Sequence, residues 1–411
     1  MISDYVEFGK LHWRHLLFGA ILMTLSSFGQ TFYISLFGAH FRHDFGLTDG
    51  GLGAVYAIAT LGSAFSLTVI GRWIDHTTVR RYALCVAALL SCACLLLAAS
   101  HYLPLLFVGL YCLRLGGQGL MVHTSLTTTA RTFPIDRGKA LGITTLGLPL
   151  GEATLPLLAV ATMESIGWRA TWVIGALVVL SGSLAALRFL PTSIADSRAR
   201  DAFPDGDKSD SLSLWRDRRL LLTMPCILAS PFISTGFFFH QARLVEEKHW
   251  SLQFVAACFV GYALARAVSL LTIGPVIDRV GARRMLPYFL VPQGLAMITL
   301  AFVTNPIGAP IYLIATGVSS GIAATMATAL WVEMYGPHQL ARVRSSVEAA
   351  NVVASGAAPI VMGQLIDLGM PLATQAGACL LGVALVSWLS RRAAAYAVPA
   401  VSSEHSTSGS A

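Results

Sequence analysis

The stretch Gly71-Arg72-Trp73-Ile74-Asp75-His76-Thr77-Thr78-Val79-Arg80-Arg81 returns 203 residues later as Gly274-Pro275-Val276-Ile277-Asp278-Arg279-Val280-Gly281-Ala282-Arg283-Arg284. Both copies read G-x-x-I-D-x-x-x-x-R-R, and each closes a long apolar run. Upstream, Leu61, Ser66, Leu67 and Ile70 align with Leu264, Ser269, Leu270 and Ile273 at the same offset. The chain therefore reads as one unit duplicated in the same orientation. What surrounds the two copies decides what kind of unit it is.

Hydrophobic residues make up 55% of the 411 residues and charged residues 12%, about half the charged share of a soluble chain. Mean hydropathy is +0.67. Too little polar side chain remains to cover a water-facing surface, which excludes an ordinary soluble enzyme or a disordered chain and implies an integral membrane protein. A membrane helix needs about 20 mostly apolar residues. Twelve such spans are expected, near 15–38, 51–72, 82–100, 103–130, 139–161, 168–190, 219–243, 252–274, 285–304, 308–333, 343–367 and 371–393. They lack the alternation of a membrane β-barrel. The charged stretch 191–218 divides them six and six. The expected organisation is thus an all-α membrane protein of two pseudo-symmetric six-helix bundles, 1–190 and 219–393. A cytoplasmic linker, 191–218, joins them, and a disordered polar tail, 394–411, follows.

Residues 1–14 are polar and lead into a full-length span without a small-residue cleavage site, so no signal peptide is expected. If the N-terminus is cytoplasmic, 22 of the 28 Lys and Arg residues fall on the cytoplasmic side, with Arg42, Arg169, Arg243 and Lys248 opposite and Arg114 and Arg266 inside spans. That bias places both termini in the cytoplasm of a bacterial-type inner or plasma membrane. It also accounts for the net charge of +7 without a nucleic-acid partner. The seven cysteines all lie within spans, without C-x-x-C spacing, and read as packing residues.

On these residues the chain resembles the major facilitator superfamily. The second copy matches the loop signature G-x-x-x-D-R-x-G-R-R in full; in the first, His76 replaces Arg and Thr78 replaces Gly. Arg131 with Asp136-Arg137-Gly138-Lys139-Ala140, Gly167-Trp168-Arg169, and Gly356-x-x-Pro359-x-x-x-Gly363 resemble further family elements. The resemblance implies a secondary transporter working by alternating access, with parallel repeats and a midplane site. It implies gating by Gly71, Asp75, Arg80, Arg81, Arg131, Gly274, Asp278, Arg283 and Arg284. In that role the glycines allow close helix approach, and the aspartates pair with arginines such as Arg131 or Arg342. The opposing reading gives the arginines topology alone.

Charges deep in a span are functional candidates. At 1.5 Å per residue, Arg266 and Arg114 each lie about 18 Å from the nearer charged or outer span end, and Glu152 about 20 Å. Arg does not shed its proton. If Arg114 pairs with Glu152 on the next helix, Arg266 remains for a substrate carboxylate. Otherwise Arg266 bonds carbonyls or amides around a wet cavity. An Arg at this depth in span 8 is similar to that of monocarboxylate and oxalate–formate carriers, although the acidic-Gly-aromatic element those carriers show in span 1 is absent. Further candidate substrate contacts are Gln118 one turn from Arg114, Gln30 and Tyr33 on one face of span 1, and Gln241 in span 7. The segment Arg114-Leu115-Gly116-Gly117-Gln118-Gly119 is similar to the family's R-x-x-Q-G with one residue extra. Glu152 is the candidate proton-coupling group. His123, half a turn away from Arg114, reads as a structural histidine.

No nucleotide-binding or hydrolase motif occurs, so no enzyme, cofactor or metal is expected. The partners are the bilayer, a small solute and, through Glu152, a proton; the chain is expected to be a monomer. The favoured cargo is a small organic anion such as a monocarboxylate. Alternatives are a proton-driven exporter of amphipathic compounds and a transporter-like nutrient sensor.

Overall fold

In the computed structural model, residues 2–190 and 216–394 are described, and every regular element among them is helical. Most of the expected linker 191–218 and nearly all of the tail 394–411 lie outside the described residues. Among the described residues, ten helices are long and apolar enough to cross a bilayer. In chain order they are α2 (Asp49–Asp75), α3 (Val79–Ala98), α4 (Leu103–Thr132), α5 (Arg137–Ile166) and α6 (Trp168–Phe189). Then come α7 (Arg218–Phe239), α8 (Leu252–Val280), α10 (Gly308–Gly336), α11 (Ser346–Asp367) and α12 (Leu372–Arg392). The first span, α1, is two pieces, Glu7–Gly29 and Thr31–Phe45, bent by 46° and apolar enough to cross together. The ninth, α9 (Val291–Phe302), has only 12 residues, about 18 Å of rise. The sequence reading of 285–304 as one full-length span is corrected: turns occupy 286–290, so α9 alone does not bridge the hydrocarbon core.

The duplication extends to the helix caps. Thr48 caps α2 by accepting from Gly51 N at 3.0 Å, and Ser251, 203 residues on, caps α8 by accepting from Phe254 N at 3.3 Å. Each satisfies an amide that the first turn leaves without a carbonyl. Outward faces carry large apolar side chains such as Phe65, Phe302 and Leu381, each more than 70% exposed. In water these would form a prohibitive patch; facing lipid they are in their own solvent.

The two halves meet along two seams, α2 against α11 and α5 against α8. At the α2–α11 seam the backbones touch. A Cβ on Gly53 would sit 2.3 Å from Pro359 O, and one on Gly363 would sit 2.6 Å from Asp49 O. Small residues let membrane helices approach to this distance. The expected role of Gly71 and Gly274 in such packing is corrected. A Cβ on Gly274 would meet nothing within 4 Å, and one on Gly71 would be in ordinary contact with His123 at 3.7 Å and Leu67 at 3.8 Å.

One end of the bundle carries Arg72, Arg80, Arg81, Arg131, Arg279, Arg283 and Arg284, and is called here the basic end; the other is the far end. Hydrogen bonds and ion pairs that join the halves cluster at the midplane and the far end. Arg42 of the first half pairs with its own Asp49 and with Glu246 of the second, 3.2 Å away. Gln241 Nε2 donates to Phe32 O at 2.8 Å and Ser35 Oγ at 2.7 Å. At the basic end, Arg131 Nη2 donates to Asp75 Oδ1 at 2.5 Å in the first half, and Arg283 N to Glu333 Oε2 at 3.2 Å in the second. The molecule is sealed at the far end.

Candidate functional site at the seam between the halves

Glu152 lies on α5 and Arg266 on α8, and the pair joins the halves at the midplane: Arg266 Nη1 donates to Glu152 Oε1. The Glu152 side chain is 3% exposed and that of Arg266 24%. Two charges removed from water are tolerated when each neutralises the other. The second carboxylate oxygen, Oε2, is buried without a partner. On α8 the hydroxyl of Tyr262, one turn from Arg266, interacts with its guanidinium and with Ser320 of α10.

This arrangement corrects the expected pairing. Glu152 takes its arginine from across the seam, and Arg114 belongs elsewhere. Arg114 is 4% exposed. Its Nη1 donates to Gly29 O at 3.0 Å, its guanidinium lies 5.2 Å from the centroid of the Tyr56 ring, and its Nε has no partner. Gly29 O is available because α1 breaks there: Gln30 has φ −87° and ψ 152°, extended rather than helical. The first piece of α1 thus ends with its carbonyls, the negative end of its dipole, toward a buried cation. The Tyr56 hydroxyl holds Thr31 Oγ1 at 2.8 Å on the other side of the break.

The break also corrects the reading of span 1. Gln30 and Tyr33 share a face only on a continuous helix. With the helix interrupted at Gln30, Tyr33 turns into the first half. There its ring packs against Phe28, Phe37 and Trp172 at 4.9–5.7 Å. Gln30 is half-buried at the break itself. Gln241, expected on a substrate face, is buried and spends its amide on Phe32 and Ser35 of the other half. Gln118 is exposed. It stands in Arg114–Met121, which is π-helical. A π segment holds one more residue per turn than an α-helix needs, so it absorbs the extra residue of the R-x-x-x-Q-G spacing and keeps Gln118 one turn from Arg114. The crossing of α1 and α4 is close here: a Cβ on Gly117 would lie 2.6 Å from Gly29 Cα.

Among the expected gating residues, Asp75 and Arg131 come together. Arg80, Arg81, Asp278 and Arg284 are exposed. His123 Nε2 lies 3.2 Å from Gly71 O, a structural hydrogen bond. A separate cavity of about 260 Å³ lies within the second half, between α7, α10 and α11, and contains Ser234, Ser320, Arg344 and Asn351 in its wall. None of the expected substrate residues lines it. Tyr56, Tyr262, Glu164 and Asp367 were not singled out from sequence. Only Glu164 and Asp367 left a signal there, since they occupy equivalent positions in the duplication.

The profile of the Major Facilitator Superfamily matches residues 19–255 and again 232–408. The chain belongs to the Major Facilitator Superfamily. The first match covers the first half and runs on through α7 into the start of α8, and the second covers most of the second half. Among solved superfamily structures, the nucleoside transporter NupG superposes with a TM-score of 0.73 at 13% identity, covering 92% of this chain and 98% of that one. A bacterial homolog of the human lysosomal transporter Spinster, in an inward-facing and unoccupied conformation, gives a TM-score of 0.67 at 14% identity, covering 92% and 93%. At these identities the likeness is one of fold. By sequence, Myo-inositol transporter 3 of Cryptococcus neoformans var. grubii is 25% identical over 140 residues. Myo-inositol transporter 3C of the same organism is 26% identical over 141. Each match spans 34% of this chain and 24% of the relative, so the chain aligns with about a quarter of the length of these relatives.

Proposed function

We propose that this superfamily member is a secondary transporter that carries a small organic anion together with a proton by alternating access. The observation that carries the reading is the Arg266–Glu152 pair across the α5–α8 seam. Arg266 is the partly exposed member and presents a fork of donors suited to a carboxylate. Glu152 is buried with one oxygen unpartnered, so a proton taken there cancels its charge and releases Arg266. A solute carboxylate then replaces Glu152 as the counter-ion, and the seam loses its midplane tie. Arg114, held by Gly29 O and Tyr56, supports the same sign of cargo: it is a second deep cation with no acid on it among the described residues.

The second reading is a neutral polyhydroxylated solute, favoured by the matched myo-inositol transporters and consistent with the hydroxyl and amide groups of the cavity in the second half. Purified protein in vesicles separates the two. Radiolabelled short-chain carboxylates, myo-inositol and a nucleoside should be offered with and without an inward proton gradient. Carboxylate accumulation that follows the gradient is expected; myo-inositol uptake without any carboxylate uptake would replace the anion reading by the polyol one.

The distribution of Lys and Arg supports a cytoplasmic basic end in a bacterial-type inner membrane; on that orientation the contacts at the far end close the outer side. A topology reporter fused at Lys248 should read the outer side and one at Asp205 the cytoplasm. The same side for both would refute the assignment.

A further inference from the structure

At the far end, the carboxylate of Asp367, the last residue of α11, accepts from Asp49 N at 3.1 Å and from Gly50 N at 3.0 Å. A residue of the second half thus caps the first turn of α2 in the first. At the other seam Gln253 Nε2, in the first turn of α8, donates to Glu164 near the end of α5. Glu164 and Asp367 are 203 residues apart, as are Gly50 and Gln253. Both contacts are therefore the same contact, repeated by the duplication, once on each seam.

The chemistry at the two copies differs in one informative way. Where the receiving position is Gly50, the carboxylate reaches the backbone, because a Cβ there would lie 2.6 Å from Asp367 Oδ2. Where it is Gln253, the side-chain amide supplies the donor instead. Helix N-termini attract carboxylates through their free amides and dipole, so each contact has a directed, charge-assisted character. Two further acids act within the halves at the same end. Asp44 Oδ2 accepts from Arg169 Nη1 at 2.7 Å and Trp168 Nε1 at 3.2 Å at the start of α6. Glu247, at the equivalent position, accepts from Leu372 N at 2.7 Å and Ala373 N at 2.9 Å at the start of α12. Within each half, then, an acid fixes α6 or α12. Across each seam, an acid fixes the opposite half.

We infer that Glu164 and Asp367 are the gate residues of the far end, a symmetric pair of carboxylate latches that hold the two halves together there and must both release for that end to open. The inference rests on the alternating-access reading above for its role in transport, but not for its test. Spin labels at Tyr102 and Ile307, which are exposed on far-end loops of opposite halves, report opening at that end. Labels at Arg72 and Arg279, exposed at the basic end, report closure at the other. Both pairs would be introduced into full-length protein with its seven cysteines replaced, in lipid nanodiscs. The E164Q/D367N double variant should raise the long-distance population of the Tyr102–Ile307 pair roughly tenfold, the factor that about 1.4 kcal/mol produces. Gly50→Ala, which displaces the Asp367 carboxylate without altering either acid, should do the same to a lesser degree. Restoring Glu164 alone in the double variant should return part of the closed population. Distance distributions identical to wild type in both the double variant and Gly50→Ala would overturn the latch. Lengthening at the far end without shortening of the Arg72–Arg279 pair would leave the latch standing and remove the alternating-access reading.

Discussion

Arg266→Gln should be among the most damaging single changes in the protein. It leaves Glu152, 3% exposed, as a buried carboxylate without its cation, and breaking a buried pair by removing one partner costs about 3–5 kcal/mol. The variant should lose its carboxylate transport and unfold at markedly lower temperature in detergent. The double variant E152Q/R266Q removes both charges and should recover most of the thermal stability while remaining inactive. Thermal unfolding of the three proteins checks this. Recovery of stability without transport is the expected pattern. Normal transport by well-folded Arg266→Gln would show that Arg266 does not hold the cargo.

Glu152→Gln should behave differently. A neutral amide stands in for the protonated acid, and Arg266 keeps the hydroxyl of Tyr262 as a partner. The fold should hold better than in Arg266→Gln, because the remaining charge is the less buried of the two. With Arg266 already released, the variant should exchange labelled for unlabelled carboxylate at a rate little affected by pH. It should not accumulate carboxylate against a gradient, since no proton is taken up at the site. In wild type, protonation of Glu152 frees Arg266, so uptake should rise as the outside is acidified. Counterflow and gradient-driven uptake, measured side by side from about pH 5.5 to 8 on either side of neutrality, test this. Accumulation that still follows the proton gradient in Glu152→Gln would assign coupling to another group.

The duplication and the apolar runs were readable because both are local in sequence: a motif repeats at a fixed offset, and a membrane helix is a composition before it is a structure. The depth of Arg114, Glu152 and Arg266 was readable for the same reason, since depth follows from counting residues. Partnership was not. Nearness in the chain favours Arg114 for Glu152, but the α5–α8 seam brings Arg266 from 114 residues away, and only packing decides between them. The break in α1 was not read from the sequence because the glycine beside it, Gly29, is a residue type common in membrane helices and marks no interruption by itself; its freed carbonyl is compensated by Arg114 from another helix. The misplacement of Tyr33 followed from assuming that helix to be continuous. The extra residue in the Arg114–Gln118 spacing was legible as an irregularity, and the π-helical turn is its structural meaning.

The frame is symmetric, but its midplane charges are not. Counted by the same offset, Glu152 corresponds to Ser355 and Arg266 to Ser63. Both serines turn their hydroxyls back onto their own helices, Ser63 to Thr60 O at 2.8 Å and Ser355 to Val352 O at 3.1 Å. At the midplane the α2–α11 side thus offers nothing at these positions that a proton or a membrane voltage can act on, whereas the α5–α8 side holds two opposite charges inside the field. A displacement of one elementary charge through the full membrane is worth about 2.3 kcal/mol per 100 mV. The electrical and acid sensitivity of the transport cycle should therefore be one-sided: it enters through α5 and α8, while α2 and α11 follow mechanically.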